Sequence, residues 1–268
     1  MIALKPLLQS TEEVARKAGA LIMTYFDKDI EVLIKEGGHS LASQVVTKVD
    51  KEAQDLILDL LSPYTKEYNF GILTEESEDN NSRFEKDYFW CIDPLDGTLP
   101  FTEKKEGFAV SIALVNKNGQ AVLGVIYNPI TEDIYSAALD LGAYKNHQPF
   151  SITYNNFYTL VCDRSSKSTE WFKEAIHKYQ PKDIIDFGGA CMNAIWVLEN
   201  APALYFKPTK QKLGGGSIWD YASSSILFKE LGLPATTFDG QELPLNKRNH
   251  TFMNDCGIYY SSEKPSIS

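Results

Sequence analysis

Cysteine and histidine are scarce in this chain, with four of each among 268 residues. None of the cysteines has the paired spacing of a zinc site; they are Cys91, Cys162, Cys191 and Cys256. Cys91 and Cys162 lie in apolar runs, which favours small buried side chains rather than reactive ones. The histidines form no cluster in the sequence, and we assign no chemistry to them.

Long hydrophobic runs and an excess of positive charge are also missing. No run approaches the length of a membrane span, and residues 1–6 contain no secretory apolar core. Acidic residues outnumber basic ones by 36 to 26, which gives a formal net charge of −10. Nucleic acid polymers and anionic membrane surfaces would repel such a chain. We therefore expect a cytoplasmic protein whose partner is a small phosphorylated metabolite.

A hydrophobic content of 43% is enough for a sizeable core, and no repeat or long linker divides the chain. The pattern predicts a mixed α and β fold with two closely packed sub-domains. The first, residues 1–150, carries the metal site, and the second, residues 151–268, contributes Asp220 and a substrate loop.

Local signals place the main elements. A capping box at Ser10 predicts the start of the first helix, and Pro63 predicts the end of the second. A short strand is expected at residues 31–35 and a mobile loop at residues 37–40. An antiparallel sheet is expected from the runs at 108–115, 121–127 and 134–138. In the second half we predict strands near 158–162, 204–206, 235–238 and 257–260, and helices near 169–178, 191–198 and 219–231.

The most informative stretch is Asp-Pro-Leu-Asp-Gly-Thr at residues 93–98. An apolar run precedes it and predicts a buried strand, so that Asp93 and Asp96 lie at a strand end. Gly97 allows a close approach of the backbone to a ligand, and Thr98 is predicted to cap a helix whose amides face a phosphate. More carboxylates follow Thr74 and precede Tyr221. A group of oxygen ligands suits Mg²⁺ and indicates metal-assisted hydrolysis of a phosphate ester.

Three other motifs are excluded because this chain lacks residues that each of them requires. A haloacid-dehalogenase-type phosphatase needs a nucleophilic aspartate where this chain has Pro94. A calcium-binding EF-hand loop that starts at Asp93 would have Leu95 and Lys104 at two ligand positions. The run of three glycines at 214–216 lacks the Gly-Lys-Ser/Thr of a P-loop.

The motifs together resemble the inositol monophosphatase family of Mg²⁺-dependent phosphatases. The matching segments are Val-Thr-Lys-Val-Asp at 46–50, Thr-Glu-Glu-Ser at 74–77, the stretch from Trp90 to Thr98, and Ile-Trp-Asp-Tyr-Ala at 218–222. The resemblance implies an alternating α-β-α-β-α layered sandwich of the inositol monophosphatase/fructose bisphosphatase type. It also implies a homodimer and inhibition by Li⁺.

The resemblance carries roles for individual residues. The implied ligands of one Mg²⁺ are Glu75, Asp93 and the carbonyl of Leu95, and those of a second are Asp93, Asp96 and Asp220. The implied catalytic residues are Asp50, Thr98 and Glu75, the first two orienting and deprotonating the attacking water. The implied substrate contacts are Gly97, Thr98, Asp220 and Asn193, although we slightly favour helix capping for Asn193.

The substrate itself stays open. Inositol monophosphatases have a glutamate shortly before Trp-Asp, whereas residues 207–217 of this chain include three lysines and no acidic residue. We interpret these lysines first as a solvated face, with contact to a second phosphate as the alternative. The leading hypothesis is a phosphomonoesterase for a polyol or sugar phosphate. A 3'(2'),5'-bisphosphate nucleotidase, for which Arg164 would contact phosphate, and a catalytically silent phosphate-ligand binding protein are the alternatives.

Overall fold

The structure is a computed structural model that describes residues 2–26, 32–34 and 45–263. Its α-helices are α1 (Leu4–Phe26), α2 (Lys48–Tyr68), α3 (Thr98–Thr102), α4 (Glu170–Tyr179), α5 (Ala190–Glu199) and α6 (Ile218–Leu231). Its first strands are β1 (Val32–Ile34), β2 (Val45–Thr47), β3 (Gly71–Thr74), β4 (Tyr88–Asp96), β5 (Ala109–Asn116), β6 (Ala121–Asn128) and β7 (Asp133–Ala138). The others are β8 (Gly142–Lys145), β9 (Gln148–Pro149), β10 (Thr159–Val161), β11 (Asp183–Ile185), β12 (Ala203–Lys207), β13 (Ala235–Thr236) and β14 (Ile258–Ser261).

Seven strands form one sheet in the order β3-β4-β5-β6-β7-β8-β9. The pair β3 and β4 is parallel, and each later pair is antiparallel. This arrangement confirms the antiparallel meander predicted for residues 108–138. A second sheet of five strands has the order β11-β10-β12-β14-β13 and mixes parallel and antiparallel pairs.

The helices and sheets alternate in five layers, as the family resemblance implies. Helices α1 and α2 cover one face of the seven-stranded sheet. Helices α5 and α6 fill the space between its other face and the five-stranded sheet. Helix α4 covers the outer face of the five-stranded sheet. None of the helices in the described residues is long and apolar enough to cross a membrane.

Strand β4 shows why the layers form. Its side chains alternate, so that Trp90 and Ile92 pack towards α1 and α2 while Phe89 and Cys91 pack towards α5 and α6. All four are fully buried because the strand lies between two helical layers. The next inward residue on the α6 side is Asp93, and this alternation aims its carboxylate at α6.

One boundary of each of the two long N-terminal helices, α1 and α2, was predicted wrongly. Helix α1 begins at Leu4 rather than at Ser10, because Leu7 and Leu8 are buried and extend the apolar face. Thr11 therefore lies inside the helix, where its hydroxyl donates to the Leu7 carbonyl at 2.8 Å. Helix α2 continues past Pro63 to Tyr68.

The predictions for residues 31–35 and 37–40 fall largely outside the described residues. The described part of the first is β1, which pairs antiparallel with β2. Cys91 and Cys162 are buried as predicted, at 0% and 1% exposure.

Candidate metal and phosphate site

Three carboxylates from two distant parts of the chain meet between β4 and α6. Asp93, Asp96 and Asp220 each offer one oxygen, and these atoms lie within 4.8 Å of one another. Asp220 is in the first turn of α6, and its Oδ2 accepts the Ser217 amide at 2.7 Å. Within the part of the chain that the structure describes, this group has the geometry to share a cation.

A pair of serines holds α6 against the sheet at this point. Ser111 is the β5 partner of Asp93, and its hydroxyl lies 2.6 Å from that of Ser223, three residues beyond Asp220. Gly124 in β6 permits the close approach, because a Cβ there would lie 2.5 Å from the Ser223 carbonyl oxygen. The register of the sheet and the absence of a side chain at Gly124 thus set the distance between Asp93 and Asp220.

Glu75 and Asp50 reach the same neighbourhood from other elements. Strand β3 runs parallel to β4, so Glu75 follows it beside Asp93, and its amide donates to the Ile92 carbonyl at 3.2 Å. Asp50 is buried in the first turn of α2. Both carboxylates act electrostatically on Asp93 and raise its pKa.

The pKa values show how much negative charge is gathered here. Burial raises the pKa of Asp93 well above its usual value, and the neighbouring carboxylates raise it further. Burial and Asp220 raise the pKa of Asp96 to about 7, while amide hydrogen bonds act in the opposite direction. The pKa of Asp220 is also raised by burial, against the lowering effects of the Ser217 amide and the Lys207 charge.

Helix α5 directs its N-terminus at Asp96. The Ala190 and Cys191 amides donate to the two oxygens of Asp96 at 3.1 and 2.7 Å. Amides in the first turn of a helix have no partner within the helix, and they therefore favour an anion. A Cβ on Gly189 would lie 2.5 Å from Asp96 Oδ2, so only glycine leaves room for this contact.

The turn after β4 differs from the prediction in one residue. Gly97, not Thr98, is the N-cap of α3, because its φ of 86° is a left-handed conformation that suits glycine. Thr98 is the first helical residue, and its hydroxyl is 3.4 Å from the Leu95 carbonyl. The Leu95 amide in turn donates to Asp93 Oδ1 at 3.1 Å. Leu95 thus contacts Asp93, and Thr98 lies beside Leu95; their roles in cation binding and water activation stay predictions.

Asn193 does not cap a helix, because Gly189 is the N-cap of α5 and Asn193 is inside it. Its side-chain amide donates to Asp163 Oδ1 at 3.2 Å, and its Oδ1 is buried without a hydrogen-bond partner. Contact of Asn193 with substrate stays a prediction.

Lys207 was interpreted as part of a solvated face, and this was wrong. Its side chain is 14% exposed and its Nζ lies 2.6 Å from Asp163 Oδ2. Burial would lower the pKa of Lys207, but Asp163 and two tyrosines outweigh that effect and raise it. Lys210 and Lys212 are exposed, as predicted. Arg164 pairs with Glu103 at 2.6 Å.

Sequence reasoning missed Gln54, one turn after Asp50 in α2. Its amide oxygen accepts the Glu76 amide at 3.1 Å, and its nitrogen donates to Ser77 at 2.7 Å. Gln54 is buried and ties α2 to the segment that carries Glu75 and Glu76. Its position on a helical face gave no signal, since only the fold brings the two segments together.

The donor set fits Mg²⁺. The converging side chains are carboxylates, which are hard oxygen ligands, and among the described residues no histidine belongs to the group. Burial raises the pKa of Asp93 and the neighbouring carboxylates raise it further, and a divalent cation would offset their repulsion.

Buried carboxylates at a strand end, beside helix N-termini in a five-layer sandwich, define the class of metal-dependent phosphatases. The comparisons identify the family within that class: the inositol monophosphatase family model matches residues 3–264, and the chain belongs to this family.

The relatives of the chain have names that describe different functions. A fructose-1,6-bisphosphatase/inositol-1-monophosphatase of Thermotoga maritima is 29% identical over 245 residues, covering 90% of this chain and 89% of the relative. A 3'(2'),5'-bisphosphate nucleotidase CysQ of Aggregatibacter actinomycetemcomitans is 28% identical, with 92% and 90% covered. The Nus factor SuhB of Pasteurella multocida is 27% identical, with 88% and 87% covered.

Solved structures share the fold. The SuhB protein of Bartonella henselae superposes with a TM-score of 0.76 at 23% identity, covering 97% of this chain and 95% of the other. An IMPase of Thermotoga maritima gives a TM-score of 0.75 at 24% identity, with 96% and 92% covered. The family is one of Mg²⁺-dependent phosphatases, and its members differ in substrate.

Proposed function

We propose that this protein is a Mg²⁺-dependent phosphomonoesterase that acts on a small phosphorylated polyol or sugar. The observation that carries the proposal is the meeting of Asp93, Asp96 and Asp220 within 4.8 Å, with Glu75 and Asp50 acting on the same point. Such a buried concentration of carboxylates destabilises a fold unless a cation joins it.

The residues have separate tasks in this proposal. Glu75, Asp93 and the Leu95 carbonyl would hold one cation, and Asp93, Asp96 and Asp220 would hold a second. Bound Mg²⁺ would offset the charge of the phosphate ester and make a nearby water more acidic.

The remaining residues bind the ester and remove a proton. The Gly97 and Thr98 amides hold the phosphate at the start of α3. Asp50 and Thr98 orient the attacking water and take its proton. Asn193, whose Oδ1 is buried without a partner among the described residues, is the proposed contact to a substrate hydroxyl.

The test is release of inorganic phosphate from four esters, measured with and without Mg²⁺. The panel is inositol 1-phosphate, fructose 1,6-bisphosphate, histidinol phosphate and adenosine 3',5'-bisphosphate. We expect turnover of at least one ester that needs Mg²⁺ and is lost in Asp220→Asn. No turnover of any ester by folded, Mg²⁺-loaded protein would contradict the proposal.

A bisphosphate nucleotidase is the second candidate. Lys207 supports it, because this largely buried cation lowers the pKa of Asp220 and therefore acts on the site. The CysQ relative covers nearly the whole chain. Preference for adenosine 3',5'-bisphosphate over inositol 1-phosphate would select this candidate. Tight binding of an ester without hydrolysis would select the third alternative, a silent binding protein.

Two further proposals come from the family. We expect Li⁺ to inhibit the activity by replacing a cation of the site, and full activity at high millimolar Li⁺ would contradict this. We also expect a homodimer, for which sedimentation velocity is the test.

A further inference from the structure

The loop that leads into Asp220 ends in three consecutive glycines and a serine, and glycine has little conformational preference of its own. We call it the 208–217 loop. It includes Gly214, Gly215 and Gly216, with φ values of 128°, 85° and 133°. Glycine loses the most backbone freedom when it is fixed, so such a loop needs outside contacts to keep one conformation.

Those contacts come from the C-terminal strap, which we define as residues 246–254. Asn254 is 7% exposed, and its side chain bonds the 208–217 loop at three points. Its Oδ1 accepts the Gly214 amide at 3.0 Å, and its Nδ2 donates to the Lys210 carbonyl at 3.2 Å and to the Lys212 carbonyl. A carboxamide side chain can make all three bonds because its oxygen accepts hydrogen bonds and its nitrogen donates them.

Backbone bonds continue the attachment up to α6. The Lys210 amide donates to the Asn254 carbonyl at 2.7 Å, and the Met253 amide donates to the Gly216 carbonyl at 2.9 Å. The Ile218 amide donates to the Thr251 carbonyl at 2.9 Å. The strap therefore holds the residues on both sides of Ser217, whose own amide bonds the Asp220 carboxylate.

The strap has an independent anchor at its other end. Asn246 accepts from Arg83 Nη1 at 2.8 Å and donates to the Lys117 carbonyl at 3.0 Å. Arg83 is 2% exposed and is fixed by Asp79 at 2.7 Å. The strap is thus held to the seven-stranded sheet, and the 208–217 loop is held to the strap.

We propose that Asn254 is a positioning residue, which fixes the 208–217 loop and through Ser217 orients Asp220 for cation binding. Loss of the side-chain amide would free the loop and spread Asp220 over several orientations. The activity consequence rests on the proposed function, whereas loop order and cation binding do not depend on it.

Trypsin tests the loop directly, because it cleaves after lysine and must attack the Lys210 and Lys212 carbonyls that Asn254 holds. In metal-free protein we expect Asn254→Asp and Asn254→Ala to speed cleavage at these two bonds about tenfold or more, as loss of several hydrogen bonds makes local opening easier. Mass spectrometry separates these cuts from others. Asn249→Asp, an exposed change in the same strap, is the matched control and should have no effect.

Calorimetric titration with Mg²⁺ tests the consequence for Asp220. We expect the half-saturating Mg²⁺ concentration to rise about fivefold or more in Asn254→Asp and to stay unchanged in Asn249→Asp, as for loss of a contact that orients a metal ligand. In the activity assay the Mg²⁺ requirement should shift with it.

Each outcome decides one part of the proposal. Unchanged cleavage in folded Asn254→Asp would overturn the loop attachment, and faster cleavage with unchanged Mg²⁺ binding would overturn the positioning of Asp220. If neither variant folds, wild-type protein still decides, because cleavage after Lys210 as fast as in an unstructured peptide would refute the attachment. Absence of turnover with both binding results intact would count against the proposed function only.

Discussion

Two carboxylates at this site occupy positions that lower the stability of the fold. Asp93 and Asp96 are 1% and 6% exposed, and an ionised carboxylate in such a place is unfavourable without a partner. The amides of α5 compensate Asp96 in part. The carboxylates are better explained by cation binding than by a structural role, since they oppose folding when the cation is absent.

Substitution of Asp93 by asparagine separates the cost of the buried charge to stability from its contribution to activity. Asp93→Asn removes one buried negative charge, so the melting temperature of the metal-free protein should rise by about 2–8 °C, as for relief of about 1–2 kcal/mol in a chain of this size. Phosphate release should fall about a thousandfold or more, because cations can no longer be held to offset charge in the transition state. Differential scanning calorimetry in EDTA measures the melting temperature, and a phosphate assay measures the rate of phosphate release. Near wild-type activity would remove Asp93 from the site.

Gly189 offers a second prediction at this scale. A methyl group at Gly189 would meet the Asp96 carboxylate, although the φ of −67° suits alanine. Gly189→Ala should therefore displace Asp96 from the α5 amides and weaken Mg²⁺ binding about tenfold, an effect of about 1.4 kcal/mol. Gly142→Ala is the control, since it has a φ of 86° but no atom within 4 Å. It should lower the melting temperature and leave Mg²⁺ binding unchanged.

At the scale of elements, the site depends on how closely α6 approaches the sheet. Gly124→Ala would place a Cβ against the Ser223 backbone and push α6, with Asp220, away from Asp93. We expect a loss of about 1–3 kcal/mol in stability from overpacking, together with weaker Mg²⁺ binding.

Val125→Ala is the matched control for this change. Val125 is the next residue of β6 and packs in the core on the opposite face of the sheet, away from α6. Its truncation should lower stability by about 2 kcal/mol through the cavity it leaves. Chemical denaturation and Mg²⁺ titration compare the two variants. Equal Mg²⁺ affinity in both would show that the distance between α6 and the sheet does not control the site.

The elements that could be predicted from sequence are those fixed by local pattern. The segments before Asp93 and in the antiparallel meander are nearly continuous apolar runs, as expected of strands buried on both faces, and the structure confirms both. Pro63 was misjudged because α2 is held beyond it by contacts from elsewhere, such as the 2.7 Å bond from Tyr64 to Ser10. Gly97 was misjudged as well, because a threonine cap competes poorly with a glycine already in the left-handed conformation.

Contacts between residues far apart in the sequence are the part of the site that could not be predicted. The motifs at Asp93, Glu75 and Asp220 could be found because their residue types and order resemble a family. Lys207 pairs with Asp163 and Asn254 bonds a loop about 40 residues earlier, and no periodicity or turn chemistry encodes such pairs.

At the scale of the whole molecule, stability should depend on pH and Mg²⁺ together. The pKa of Asp96 is about 7 in the fold, against about 4 for an unfolded aspartate, and that of Asp93 is also raised. The folded state therefore holds protons that the unfolded state has lost, and stability falls as pH rises between these values. Mg²⁺ needs the ionised carboxylates, so its stabilising effect should grow over the same range.

Thermal melts at several pH values test this dependence. In EDTA the melting temperature should fall between about pH 4 and pH 7, and in excess Mg²⁺ the fall should be smaller or reversed. Asp93→Asn should flatten the EDTA curve. Identical curves with and without Mg²⁺ would rule out a cation site at these carboxylates.

The strap lies beyond Asp220 in the chain, and this order has a consequence for biosynthesis. In the proposal above, Asn254 fixes the loop that orients Asp220, so the carboxylates of a nascent polypeptide leave the ribosome before that orientation is possible. By that proposal, a nascent chain that has not yet reached residue 254 should bind divalent ions more weakly than one that includes the strap.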